Sequence, residues 1–361
     1  MQLSRMAGVA AVCALMAAAG VPLHGQQAAA PGSTITVNAQ LVNLPVIVRD
    51  KKGTLVENLT KADFALSVDG HTQTIRYFDK DSDLPLTLGL LVDTSGSVRD
   101  ALEDERNASE EFLDEMMTAP ANRSADQAFL IQFAHETELL QELTSSRPRL
   151  RAALNQVGTT PPDERNSQDN NGGGGGRYGH RGGGHRFGGG TTLYDAIFLA
   201  SDELMKKQHG RKALVLLTDG EDRRSTETLA SSIAAAQRAE TVVYAIYFKG
   251  EQHGYGGHGG GYSGRGGFPG GGQRGGESHV DGKKVLAQIT GETGGRMFEV
   301  AGRQTFAAIY TQIAEELRSQ YRLGYTPDAA TAADGYHRVD LTVPKDKKLF
   351  VQTRDGYYSG S

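Results

Sequence analysis

Between Leu84 and Ser319 the sequence alternates short, continuously apolar runs with helix-length amphipathic stretches, and this pattern restricts the fold more than any other feature. The runs are LTLGLLVD, AFLIQFA, ALVLLTDG, TVVYAIYF and GRMFEV; the spacing predicts helices near 99–117, 147–157, 193–208, 225–239, 283–290 and 303–319. A strand that is apolar on both faces must be covered on both faces. Strands joined through helices run parallel, so the segment is expected to form an α/β, doubly wound, Rossmann-like αβα domain over 83–319 with a mostly parallel sheet.

The flanks have another texture. Residues 34–82 show alternating apolar positions, β-branched enrichment and turn signals at KKG and VDG, and residues 320–361 return to the same pattern in YRLGYTP, HRVDLTV and LFVQTRDGYY. Both read as short strands. At about 50 and about 40 residues each is small for a core of its own, which leaves two arrangements open: two small β modules, or one β-sandwich from which the αβα domain emerges. Two stretches fit neither texture. Residues 165–190 and 250–277 hold much of the 47 glycines, with His, Arg and Tyr between them, and such a composition buries too little apolar area to offset its ordering entropy, so both are expected to be flexible inserts.

The start of the chain, MQLSRMAGVAAVCALMAAAG, has one arginine, an apolar stretch and then small residues, the form of a secretory signal within 1–30. The single cysteine, Cys13, falls inside it, so the mature chain is expected to carry no thiol and no disulfide. Nothing later approaches the length of a membrane span, and the expected location is periplasmic or extracellular with no transmembrane anchor in the mature chain. With 38 Lys+Arg against 43 Asp+Glu and no long block of either sign, a nucleic-acid partner is not expected. Oligomeric state is not legible.

Chemistry concentrates at LVDTSGSVRD, residues 91–100, where the first apolar run meets its helix. Open α/β sheets place their ligand crevice at such strand ends. A serine nucleophile would need a G-x-S-x-G elbow, but positions 93 and 97 are Asp and Ser, and His135 is a lone histidine after a strand rather than a partnered base. No G-x-x-x-x-G-K-[ST] loop occurs either, and no enzyme is expected. An oxygen cage fits better. Asp93, Ser95 and Ser97 alternate as D-x-S-x-S around Gly96, and hard divalent cations take oxygen donors. Two further stretches supply candidates: GGGTTLYDAI, with Thr191 after the glycines, and LVLLTDGED, with Asp219 at a strand end. Singly, each is explained by a helix cap or a turn. In this order, at these strand ends, they are far more specific.

D-T-S-G-S, then G-G-T, then T-D-G resemble the metal ion-dependent adhesion site of the von Willebrand factor type A domain, also called the integrin I-type domain, and the resemblance covers roughly 83–319. It implies hydroxyls from Ser95, Ser97 and Thr191 on the metal, with Asp93 and Asp219 acting directly or through water. The cation would be Mg²⁺ first, with Mn²⁺ or Ca²⁺ as alternatives, and it would bridge to an Asp or Glu of a protein partner, making an exported adhesion-type module. The other reading is an envelope-scaffold protein that keeps the fold without an essential metal. NLPVIVRDKKGTLVENLTKADFALSVDG before the domain, with YRLGYTP and RDGYY after it, resembles the exported VWFA-related proteins of Acidobacteria.

Overall fold

The computed structural model describes residues 41–80, 84–96, 98, 101–117, 126–158, 191–248, 281–301, 304–328, 331 and 333–359. Residues 1–30, expected to be a secretory signal, both glycine-rich stretches and Ser97 lie outside these residues. In chain order the elements are β1 (Val42–Arg49), β2 (Ala65–Val68), β3 (His71–Gln73), β4 (Ile75–Lys80), β5 (Leu86–Asp93), α1 (Leu102–Met116), β6 (Gln127–Phe133), β7 (Thr137–Thr144) and α2 (Arg147–Leu154). There follow α3 (Leu193–Phe198), β8 (Arg211–Thr218), α4 (Leu229–Arg238), β9 (Val242–Tyr247), α5 (Gly282–Thr293), β10 (Met297–Glu299), α6 (Phe306–Arg318), β11 (Tyr321–Tyr325), β12 (Gly335–Thr342), β13 (Phe350–Gln352) and β14 (Gly356–Ser359).

The apolar runs form a six-stranded sheet in the order β10-β9-β8-β5-β6-β7, parallel throughout except for β7. Along β5, Leu88, Leu90 and Val92 face the helices α1, α2 and α6, whereas Leu91 faces α3, α4 and α5. Along β8, Val215 and Leu217 take the first face, Leu214 and Leu216 the second. Period-two alternation with both faces apolar explains why these runs are almost continuously apolar, with Thr87 of β5 and Gln132 of β6 as exceptions. The chain leaves β5 for β6 on one side and later enters β8 on the other. The order in which strands are added therefore switches sides between β5 and β8, which stay parallel, and this is the place where this architecture opens a crevice.

Two findings differ from the sequence reading. TELLQELT forms β7, an antiparallel edge strand, where no strand is expected; as an edge it is buried on few positions, so it lacks the continuous apolar run that marks the others. The helix expected over 193–208 is broken: α3 ends at Phe198, Leu199–Leu204 widens into a π-helical turn, and Met205–Lys207 tightens into a 3₁₀ turn. Among the described residues, no helix is long and apolar enough to cross a membrane.

The flanking segments pair with each other. One sheet has the order β13-β1-β11-β4 and the other β14-β12-β2-β3, so each mixes strands from both ends of the chain. Val42 on β1 faces Tyr325 on β11, and Val68 on β2 faces Val339 on β12. Val46, Leu66, Leu323 and Leu341 from the two sheets share one buried cluster. The αβα layer leaves this two-sheet body after β4 and returns through α6 into β11. An ion cluster spans the join: the buried Glu316 of α6 meets the buried Arg49 of β1 at 2.5 Å and the partly exposed Arg296 at 3.0 Å.

Candidate functional site

The switch between β5 and β8 brings the last residue of β5, Asp93, beside the last residue of β8, Thr218. The Thr218 hydroxyl donates to Asp93 Oδ2 at 2.7 Å and the Ser95 N–H donates to Oδ1 at 2.8 Å. Asp93 has no exposed surface, and burial pushes its carboxyl up to about 6. The bonds from Thr218 and Ser95 act against that rise, and the neighbouring Asp219 charge adds to it. Two carboxylates thus converge on one rim, one of them buried with only neutral donors against it among the described residues. That is a costly arrangement in a poorly polarisable setting.

Local sequence fixes the approach of Asp219. Gly220 has φ +77°, a left-handed conformation natural to glycine, and a Cβ there would lie 2.4 Å from the Gly282 carbonyl oxygen. A Cβ on Gly282 would lie 2.2 Å from the Asp219 carbonyl oxygen. The Asp219 turn and the first residue of α5 can touch this closely only because both contacts are made by glycine. Asp219 Oδ1 accepts the Glu221 N–H at 3.0 Å, closing the turn.

Thr191 joins the same rim through the loop that follows β8. Its carbonyl accepts the N–H groups of Arg223 at 3.1 Å and Arg224 at 3.2 Å. The first amides of α3 have no side-chain cap from Thr192; Tyr194 N–H instead donates to Asp222 Oδ2 (3.2 Å) and Ser225 Oγ (3.0 Å). Asp195 returns the tie by accepting from the Thr226 and Glu227 N–H groups at 3.1 and 2.8 Å. Of the two adjacent threonines, Thr192 has its hydroxyl engaged, within 3.0 Å of the Thr137 hydroxyl and 3.3 Å from the Ala134 carbonyl. Thr191 is a buried residue, and its hydroxyl bonds no protein group among the described residues.

The structure therefore places Asp93, Ser95, Thr191 and Asp219 on one rim, linked through Thr218 and the 219–225 loop. Ser97, the fifth residue of the expected set, is outside the described residues. Sequence reasoning missed Thr218, whose hydroxyl holds Asp93, and missed Asp222 and Ser225, which fasten the loop to α3. A hydroxyl directly before T-D-G's aspartate was the available signal for the first; nothing in the sequence marks the pairing that gives the others their role. His135 is exposed, and Glu221 pairs with Arg223 at 3.0 Å. No group of three or more His, Cys, Asp or Glu side chains gathers to hold a metal among the described residues, while the set above has two carboxylates and is otherwise hydroxyl.

Residues 88–221 match the family model for the von Willebrand factor type A domain. Among curated proteins, none matches the chain. Among solved structures, similarity extends to proximal thread matrix protein 1 from the mussel byssus with a zinc-occupied MIDAS motif, at 14% identity and a TM-score of 0.42. That match covers 69% of this chain and 49% of the mussel protein, so the chain spans about half of that protein's length. An aerotolerance-related membrane protein from Bacteroides fragilis matches at 14% identity and a TM-score of 0.40, over 64% of this chain and 98% of that one. A von Willebrand factor type A protein from Catenulispora acidiphila matches at 10% identity and a TM-score of 0.42, over 89% of this chain and 74% of that one.

Proposed function

We propose that the von Willebrand factor type A domain matched over residues 88–221 holds a divalent cation on its rim and, through it, captures a partner protein by an aspartate or glutamate side chain. The observation that carries this reading is Asp93: a fully buried carboxyl, oriented by Thr218 and Ser95, facing the charge of Asp219 with no cationic side chain among its partners in the described residues. The donor set is oxygen only and suits a hard ion, Mg²⁺ before Mn²⁺ or Ca²⁺. Asp93 and Asp219 supply the charge, and Ser95, Ser97 and Thr191 supply neutral hydroxyls. The bound ion would contribute an electrophilic position with an exchangeable water, which an incoming carboxylate replaces.

The chain's own residues do the positioning. Thr218 and Ser95 hold the Asp93 carboxyl at the rim, the glycine contact at 220 and 282 keeps Asp219 beside it, and Asp222 with Ser225 keeps Thr191 in place. In this reading the arrangement serves binding, and the residues around the cation position it rather than act on a substrate. The secretory start of the sequence supports a site of action outside the cytoplasm, and the flanking stretches support the exported VWFA-related group as the narrower relationship.

Isothermal titration of the mature protein with Mg²⁺ and Mn²⁺ tests the first half, and an EDTA-sensitive pull-down from the native envelope tests the second. Asp93→Ala and Asp219→Ala are each expected to abolish ion uptake without unfolding the chain, because rim carboxylates contribute charge to the site more than packing to the core. Unchanged affinity in both variants would leave the envelope-scaffold reading in its place.

A further inference from the structure

The loop that follows β8, Asp219-Gly220-Glu221-Asp222-Arg223-Arg224, carries three acids and two arginines. Beyond Asp219, assigned above to the cation, its acids have partners in the protein: Asp222 accepts from Tyr194 and Ser225, and Glu221 pairs with Arg223. Both arginines are exposed. The Arg224 guanidinium bonds no side chain or carbonyl among the described residues, yet its backbone is not free to drift, because the Arg224 N–H donates to the Thr191 carbonyl at 3.2 Å beside that of Arg223 at 3.1 Å. A forked, permanently charged donor is thereby anchored, one side-chain length away, to the backbone of a residue assigned to the cation.

A guanidinium differs from an ammonium in offering two parallel N–H bonds to one planar anion. A guanidinium left exposed beside a site that takes a carboxylate suits a second carboxylate of the same partner. We propose that Arg224 is a specificity residue that binds a second acidic side chain of the partner, so that the rim selects segments carrying two acids close together over segments carrying one. The inference rests on the cation-bridged capture described above. On an extended segment, alternate side chains recur on one face about 6.6 Å apart, so two acids with one intervening residue can face the rim together. Arg223 differs from Arg224 in being occupied by Glu221, and it contributes less to this selection.

The test uses the mature full-length protein with two capped peptides, Gly-Gly-Asp-Gly-Gly and Gly-Asp-Gly-Asp-Gly, titrated by calorimetry in saturating Mg²⁺, after Mg²⁺ uptake has been measured on the same samples. Wild-type protein is expected to bind the two-acid peptide about tenfold more tightly, the scale of one charge-assisted bidentate pair. Arg224→Ala is expected to keep Mg²⁺ affinity and one-acid binding while losing the preference, and Arg224→Lys to retain only part of it. Equal binding of both peptides by wild-type protein, or a preference that survives Arg224→Ala, overturns the assignment while the cation reading stands. Equal loss of both peptides in Arg224→Ala overturns it as well, since that pattern is nonselective charge attraction. Absence of Mg²⁺ uptake removes the cation reading itself, and this inference with it.

Discussion

Asp69 and Asp93 are both carboxylates that organise a turn after a strand, one in the two-sheet body and one on the rim of the αβα layer, and their charges are answered in opposite ways. Asp69 receives His337 Nδ1 at 2.7 Å and the Arg338 N–H at 2.8 Å, and the bond from His337, ahead of the opposing effect of burial, holds its carboxyl below the usual range. Asp93 is raised, chiefly by burial, and its partners are a hydroxyl, an N–H and a like-charged neighbour. In the two-sheet body and at the join, where Glu316 sits between Arg49 and Arg296, charge is neutralised by the chain itself. On the rim, Asp93 has no cationic side chain among its partners in the described residues. That contrast separates scaffold from site more sharply than burial does, since both kinds of carboxylate are part of ordered structure.

The comparison is broken most forcefully at the join. Glu316→Ala would leave the buried Arg49 without its carboxylate, beside the partly exposed Arg296, and removal of one partner from a buried pair costs about 3–5 kcal/mol. Urea unfolding is expected to show that loss equally with and without Mg²⁺. A loss that Mg²⁺ repairs would mean the join and the rim are not separate. Glu105 on α1 gives the next effect. Its buried carboxyl receives the Ser109 hydroxyl at 2.8 Å, and burial pushes it up to about 7 in spite of that bond. The folded protein then holds a proton that the unfolded chain releases near pH 4.5, so stability falls as pH rises from about 4.5 to about 7, by on the order of 3 kcal/mol. Glu105→Gln should flatten that slope. A variant whose unfolding free energy keeps the wild-type slope over this window would show that Glu105 is ionised in the fold.

The parts that were legible are those whose signal is local. Continuous apolar runs announce β5, β6, β8 and β9 because both faces of each must be buried, and the D-x-S-x-S, G-G-T and T-D-G stretches sit where such runs end. What was not legible depends on contacts between distant segments. Nothing near Val42 indicates that Tyr325 will face it, so the choice between two β modules and one mixed body could not be made from either end alone. Thr218 looks like the last residue of a strand until β5 lies beside it. Asp222 looks like a solvated acid until the uncapped start of α3 meets it. TELLQELT carries two glutamates and three leucines in a spacing that suits a helix as well as an edge strand, and pairing with β6 decides the matter.

Asp93→Asn sharpens the comparison directly. If its charge is unanswered within the chain, the amide should raise the stability of the metal-free protein by about 1–3 kcal/mol, the scale for a buried polar group relieved of an unmet demand. Wild-type protein, in turn, should gain about 2.7 kcal/mol at a Mg²⁺ concentration a hundred times the dissociation constant, and the variant should gain none. Thermal unfolding with Mg²⁺ or EDTA reads both. A variant less stable than wild type in EDTA would show that Asp93 is satisfied within the fold, and would erase its difference from Asp69.

The smallest effect belongs to His337, whose ring closes the other side of the comparison. Nδ1 faces Asp69, Nε2 lies 2.7 Å from the Ala333 carbonyl and 3.0 Å from the Ser359 hydroxyl, and the ring stacks on Tyr357. A carboxylate on one nitrogen and a carbonyl on the other both call for a donor, which only the doubly protonated ring supplies. Burial pulls the ring's proton affinity down, but the bonds to Asp69 and Ala333 outweigh it and hold His337 above its ordinary value. Its contribution is therefore complete below about pH 6.5 and is lost as pH rises through the folded value, a window above that of Glu105. His337→Gln keeps one donor and should cost about 1–2 kcal/mol at pH 6, with the difference from wild type shrinking by pH 9. Proton NMR of the ring should place its titration above 6.5 in the folded protein. A midpoint at or below that value would mean that Asp69, like Asp93, is left without a cation of its own.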